Sequence, residues 1–530
     1  MSSQGIAFHR PIVFWTGAAA ITAGVVMHLP DYISAGDMAY HMADMPMGTL
    51  MVAGMVLIVA GMALATWGLL PPKGLPQAGR AEDYHLAAID DAVLTPAHWR
   101  LLLVLGVALI IDVMKPATLG FVLPGMAREY GIPPSRIAWL LIFALAGTTL
   151  GSLWWGIMAD RLGRRSAILL ASLMFIGTAI CGTMPSFALN LLMCFLMGLA
   201  AGGMLPIVYA LMAESVPAKS RGWLVVLHGG MGTVGGTLAA AGCAALLEPM
   251  FSWRALWLVN LPTGLIMLVL NRWIPESPRF LLNHGRIDEA RAVMGRYGVR
   301  IEAVPPGQPR VVAPAQGAGP RGLRALFRAP LSRQTWVVLT YGLAWGILNW
   351  GFISFLPTFL RGAGFGARTA SLLLLLSAVT AIPGTLLVAW AYGVWSSRKS
   401  MVTFAAASVA SALGLAWLSP DEHTSRVAIV AMLGLLYATT GGMIAMLSPY
   451  TAEVFPTALR GTGSGLSAGS SKLGGLLGAL ATVTGLLTIS GGMAGPAILV
   501  SLPVAAAAGL VAWRGRETRG RRLEEVGSRE

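Results

Sequence analysis

Long apolar stretches, each close to the length of a bilayer-crossing helix and separated by short polar segments, dominate this chain. The strict apolar–polar alternation of outer-membrane strands does not occur within them. The pattern therefore predicts an all-α polytopic membrane protein with about fourteen transmembrane helices. Two come first, over Pro11–Met27 and Gly48–Leu70. A polar linker at 71–100 leads to six more, over Leu101–Met126, Ile137–Met158, Ala167–Thr183, Phe187–Met212, Trp223–Leu247 and Ala255–Trp273. A longer linker at 274–333 precedes the last six, over Thr335–Phe359, Ser371–Val394, Val402–Leu418, Ala428–Ser448, Gly461–Ile489 and Ala494–Trp513. Inside that linker, IDEARAVMGRYG has the spacing of a short amphipathic helix, and the Pro- and Gly-rich stretch Pro305–Pro320 reads as flexible.

Composition agrees with this pattern. Of the 530 residues 56% are hydrophobic and 11% charged, against about 25% charged in a soluble protein. The net charge of +14 lies mostly in alternate loops, which is the positive-inside pattern and not a nucleic-acid surface. By that bias both termini and the two linkers are expected in the cytoplasm, and His28–Met47, with three Asp and no Lys or Arg, outside it. The first apolar run follows Arg10 but shows no clear small-residue cleavage site, so it reads as a retained helix. Cys181, Cys194 and Cys243 match no metal or haem spacing. His28, His41, Met38, Met42, Met45 and Met47 invite a copper reading, but their spacing fixes no coordination geometry. No Walker motif supports ATP drive, and neither cofactor nor metal is assigned.

The chemistry stands out against this apolar background. Asp112 and Lys115 lie inside the run Leu101–Met126, three residues apart and so on one helical face. Ionisable residues at membrane depth are costly and mark functional sites; here they also suit a self-neutralising pair. His228, about two turns into its helix, is a second proton-carrying candidate or a hydrogen-bonded core histidine. Lys472 is either a snorkelling or a solute-facing lysine. Gly232 with Gly236, and Gly465 with Gly469, have the spacing of close helix packing.

The two sets of six contain a repeat. Glu214-Ser-Val-Pro217-Ala-Lys-Ser-Arg221-Gly222 matches Glu453-Val-Phe-Pro456-Thr-Ala-Leu-Arg460-Gly461, each leaving the fourth helix of its set. A weaker pair sets Gly156-Ile-Met-Ala-Asp160-Arg161-Leu-Gly163-Arg164-Arg165 against Gly393-Val-Trp-Ser-Ser-Arg398-Lys399. The first loop resembles the G-x-x-x-D-R-x-G-R-R motif of the major facilitator superfamily. PESPRFL at Pro275–Leu281, Trp253-Arg254 with Pro262, and Arg516–Glu525 resemble motifs of its sugar-porter branch and the organic-acid, synaptic-vesicle-type relatives. The resemblance implies two six-helix pseudo-repeat bundles. It also implies a gate, in which Gly156, Asp160, Arg161, Gly163, Arg164, Arg165, Glu214, Arg221, Arg254, Glu453 and Arg460 take part. Charge that merely orients the helices is the simpler alternative.

The run Thr335–Phe359, helix seven counted from the start of the two sets of six, lacks the Gln and Asn pattern of sugar porters and offers Tyr341, Trp345, Asn349 and Trp350. With Lys115 and Lys472, these suit a partly apolar anion better than a sugar. The expected organisation is a two-helix hairpin at 1–75, a linker at 76–98, six-helix bundles at 99–273 and 335–514 around a linker at 274–334, and a tail at 515–530. The expected activity is proton-coupled symport of a small organic anion by alternating access, by a monomer in a bacterial-type inner membrane. Asp112 and His228 serve the proton, while Lys115, Lys472 and the helix-seven residues serve the solute. A sugar or polyol carrier, a drug exporter and a non-transporting membrane sensor are the competing readings.

Overall fold

The computed structural model describes residues 9–70, 84–85, 93–299, 302–303, 323–421, 423–455, 459–484 and 492–518. The expected flexible stretch Pro305–Pro320, most of the first linker and the tail motif beyond Thr518 lie outside the described residues.

The architecture is all-α. Among the described residues the apolar runs form helices, because hydrocarbon offers the backbone no hydrogen-bond partner and a helix satisfies it internally. The helices used below are α1 Pro11–Val26, α2 Thr49–Leu69, α3 Pro96–Glu129, α4 Trp139–Leu162, α5 Arg164–Gly177, α6 Phe187–Ser215, α7 Ala218–Phe251 and α8 Asn260–Leu270. They continue with α9 Ile287–Arg296, α10 Ser332–Gly351, α11 Leu356–Gly362, α12 Ala367–Trp390, α13 Ser397–Leu418, α14 Arg426–Val454, α15 Arg460–Val483 and α16 Ala494–Arg514. Among the described residues, 13 helical stretches are long and apolar enough to cross a membrane. The remaining expected span is α15, 24 residues long, whose Gly, Ser and Lys472 dilute its hydropathy. The expected amphipathic helix is α9, with Ala290, Val293 and Met294 buried. The run Thr335–Phe359 is broken: α10 stops at Gly351, Phe352 leaves helical geometry, and α11 resumes after a 3₁₀ turn. The two linkers also meet in a two-residue antiparallel ladder, Tyr84 with Ala303 and His85 with Glu302.

By packing, the chain forms two units. One comprises Met1–Asp112, Ala146–Arg221 and Phe251–Ala315, the other Val113–Leu145, Gly222–Met250 and Gln316–Glu530. In the first, α5 is the hub: it is buried along nearly its whole length and packs against α6, α8, α1 and α2. The leading hairpin is locked by glycines. A Cβ at Gly17 would lie 2.5 Å from the Gly61 carbonyl oxygen, and one at Gly54 2.6 Å from that of Gly24. Small residues of this kind let membrane helices approach closely. The loop after α1 is folded, with Tyr32, Ala35 and Met42 forming a buried cluster against Leu258. The Tyr32 hydroxyl donates to the Phe251 carbonyl at 2.5 Å, and the Asp44 amide donates to the Pro185 carbonyl at 2.9 Å. Met42 is thus committed to packing, and His28 places Nδ1 2.8 Å from the Gly24 carbonyl oxygen.

In the second unit α10 packs along α15 and α16, and α12 along α14. Segment 222–250 of α7 joins this unit through two close approaches. A Cβ at Gly236 would sit 2.7 Å from Val113 Cβ and 2.8 Å from the Met114 nitrogen, and one at Gly230 3.3 Å from Thr385 Cβ. These contacts are why the packing units do not coincide with the sequence segments 99–273 and 335–514.

Candidate solute site and charged helix ends

Asp112 and Lys115 sit near the middle of α3 and are 4% and 1% exposed. Pro116 follows directly and has no amide to donate to the Asp112 carbonyl, which weakens the helix ladder at the charged turn. In the first unit Tyr209 of α6 lies near enough to Asp112 to interact with it electrostatically. Sequence reasoning did not single out Tyr209, since nothing in its helix marks it before the packing is known. In the second unit the Gly236 approach sets the turn of α3 before Lys115 against the turn of α7 bearing Thr233 and Thr237.

That part of α7 lines a small cleft with Asn349, Ile353, Tyr437 and Thr440. Of the expected solute residues on α10, Asn349 lines it. Tyr341 is fully buried and donates to the Met401 carbonyl at 3.2 Å. Trp345 Nε1 donates to the Thr440 carbonyl at 3.0 Å, tying α10 to α14. Trp350 is half-buried and packs on α15, where a Cβ at Gly475 would lie 2.6 Å from its Cδ1. His228 is buried with Nδ1 2.9 Å from the Leu224 carbonyl oxygen, and Lys472 is half-buried on α15.

The expected gate residues divide. Gly163 has φ +95° and its Cα faces the Glu276 carboxylate, so a side chain there would be both strained and blocked. Glu276, from the PESPRFL stretch, caps α5: it accepts from the amides of Arg164 at 2.7 Å, Arg165 at 3.2 Å and Ser277 at 2.9 Å. The Arg165 side chain donates to the Asn271 carbonyl at 2.9 Å. Arg161 is exposed, and Gly156 has open space beside it. In the second unit Glu517 plays the equivalent part at the start of α13, accepting from the Ser397 amide at 2.9 Å and hydroxyl at 2.7 Å. Beside it Glu453 accepts from Tyr392 at 2.7 Å and Thr518 at 2.6 Å. An acid after the last helix of each set thus caps that set's third helix. The side chains of Asp160, Glu214, Arg221 and Arg460 lie outside the described residues. Arg254 sits apart from the others in its unit. It is fully buried and donates to the carbonyls of Gly182 and Met184, both at 3.0 Å, beyond the far end of α5 from Glu276.

Burial pushes the Glu276 carboxyl up from 4.5 to about 7, against the opposing pull of the Ser277, Arg164 and Arg165 amides. The raised value means the folded protein holds the proton while the unfolded chain releases it. This contribution to stability is therefore complete below about pH 4.5 and is lost as the pH rises to about 7. Glu276→Gln should flatten the fall in thermal stability over that window, and melting curves of both proteins between pH 4.5 and 7 check it.

Unit two also contains a buried ion pair. Arg361, in α11, donates from Nη2 to Glu248 Oε2 near the end of α7 at 2.6 Å, and the two side chains are 11% and 6% exposed. The sequence placed both at helix ends with nothing to indicate that they meet.

Helices long and apolar enough to cross a membrane, a buried ionisable turn within one of them and acids capping repeated helix ends are features of a membrane transport protein. The chain belongs to the Major Facilitator Superfamily, whose profile matches residues 105–479. It is 26% identical over 447 residues to the niacin transporter NiaP of Acinetobacter baylyi, covering 83% of this chain and 99% of that one. It is 28% identical over 424 residues to the 4-hydroxybenzoate transporter PcaK of Pseudomonas putida, covering 75% and 89%. The fold is similar to that of the xylose transporter XylE from E. coli, whose structure was solved in a partially occluded inward-open conformation, with TM-score 0.61, 14% identity, and 81% and 100% of the two chains covered.

Proposed function

We propose that this chain is a secondary active transporter that carries a small aromatic monocarboxylate together with protons by alternating access. The observation that supports the reading most is the buried Asp112/Lys115 turn, which offers an acid that can shed its charge by protonation and a cation for a carboxylate. The relatives named for niacin and 4-hydroxybenzoate, both aromatic acids, support the solute class. Lys115 binds the carboxylate, Asp112 carries the proton, and Asn349 belongs to the solute cavity. His228 assists the proton, while Trp345, Trp350 and Tyr341 shape the helix that carries Asn349. The charged helix ends at 156–165, 214–221 and 453–460 gate one side, and the two sequence halves are the moving parts. A bacterial inner membrane with both termini in the cytoplasm and a monomeric carrier complete the reading.

A binding screen tests the solute class. Purified protein should be stabilised in thermal unfolding by benzoate, 4-hydroxybenzoate and nicotinate, and not by xylose or by tetraalkylammonium ions. Stabilisation by the sugar or the cation alone would reject the aromatic acid. Lys115→Ala should remove the response to the acids.

A further inference from the structure

The cleft lined by Thr233, Thr237, Asn349, Ile353, Tyr437 and Thr440 is chemically unlike the charged turn of α3. Among the described residues, none of its lining side chains is charged. A carboxylate placed there would be desolvated without a counter-ion, so the cleft is unsuited to the acid group. The space inside it admits a water-sized group.

Its polar atoms form an incomplete set. Thr440 is 2% exposed and, among the described residues, its hydroxyl has no hydrogen-bond partner. A buried polar group left in that state costs free energy unless a ligand or water completes it. Thr233 and Thr237 donate back to the carbonyls of Gly229 at 2.9 Å and Thr233 at 3.0 Å. Their hydroxyl oxygens therefore remain acceptors. The Asn349 amide and the Tyr437 phenol can each donate and accept. The cleft thus offers both donors and acceptors to one small neutral group. Its walls are fixed: Trp345 Nε1 holds the Thr440 carbonyl at 3.0 Å, and the Gly236 approach fixes α7 against the Lys115 end of α3.

We propose that this cleft is the specificity subsite for a ring hydroxyl, so that the preferred solutes are ring-hydroxylated aromatic monocarboxylates. The inference rests on the reading of the protein as an aromatic-acid carrier and adds which acids it prefers. A hydroxyl donates and accepts and matches the cleft in size, whereas an unsubstituted ring edge would leave Thr440 unsatisfied. Thr440 and Asn349 are the principal specificity residues, with Tyr437 beside them.

The test is competition of benzoate, 3-hydroxybenzoate and 4-hydroxybenzoate for binding and counterflow in proteoliposomes, read as affinity ratios. The parent should favour at least one hydroxylated acid over benzoate by about tenfold. Thr440→Val, which keeps shape and backbone, should bring that ratio to within about twofold, with benzoate itself affected less. Tyr437→Phe and Asn349→Leu provide independent variants should Thr440→Val fail to fold. An unchanged ratio in all folded variants, or a parent with no hydroxyl preference, overturns the subsite while leaving an aromatic-acid carrier intact. If neither benzoate nor its hydroxylated forms bind at all, the carrier reading itself fails and the subsite with it.

Discussion

Asp112→Asn is expected to exchange solute across the membrane at a rate comparable to the parent and to lose accumulation driven by a pH gradient altogether. The substitution mimics the protonated acid, so the step that needs a neutral side chain survives and the step that needs proton release does not. Lys115→Ala should lose binding of anionic solutes, and Lys115→Arg should restore charge with altered geometry. The double variant separates transport from structure. If the residues only neutralise each other at membrane depth, removing both is milder than removing either. If they carry proton and solute, the double variant is at least as inactive as each single one. Counterflow and pH-driven uptake, at matched protein levels, distinguish the two. Parent-level pH-driven uptake by Asp112→Asn would remove Asp112 as the proton carrier.

The second large effect is at Glu248 and Arg361. Glu248→Ala should destabilise the protein by about 3–5 kcal/mol, because it leaves the buried Arg361 guanidinium without its carboxylate. Glu248→Gln with Arg361→Met removes both charges and should recover most of that loss. Denaturation of the singles and the double in one detergent measures the coupling. A single variant as stable as the parent would show that water reaches Arg361 and that the pair is worth little.

Membrane physics made the helices legible. Each run had to satisfy its own backbone and present an apolar surface, so length and hydropathy located it. The repeat was legible in E-x-x-P-x-x-x-R-G because both copies stand at the same point of their sets. Other features depend on which helices meet. The break at Phe352 is foreshadowed by Gly351 and Pro357, but the length and hydropathy of the run Thr335–Phe359 hide it. Glu276 was visible only as part of a motif; its role as the α5 cap appears once residues 111 positions apart in sequence are brought together. Arg254, grouped by resemblance with the gate, donates to two backbone carbonyls 72 and 70 positions earlier, a contact no local pattern indicates. Tyr341 and Trp345 have the chemistry of solute contacts, yet their polar atoms bind backbone carbonyls on neighbouring helices. No sequence pattern marks Thr440 within α14. Its unsatisfied hydroxyl exists only in three dimensions.

The central claim is coupled transport, and one measurement addresses it most directly. Purified protein in proteoliposomes, given labelled 4-hydroxybenzoate and an imposed pH gradient that is acid outside, should concentrate the acid inside above its external level. The imbalance should dissipate when a protonophore is added. Vesicles without the protein control for passive entry of the protonated acid. Protein-dependent flux that ignores the gradient would contradict the coupling, and binding of the acid with no flux would contradict transport itself.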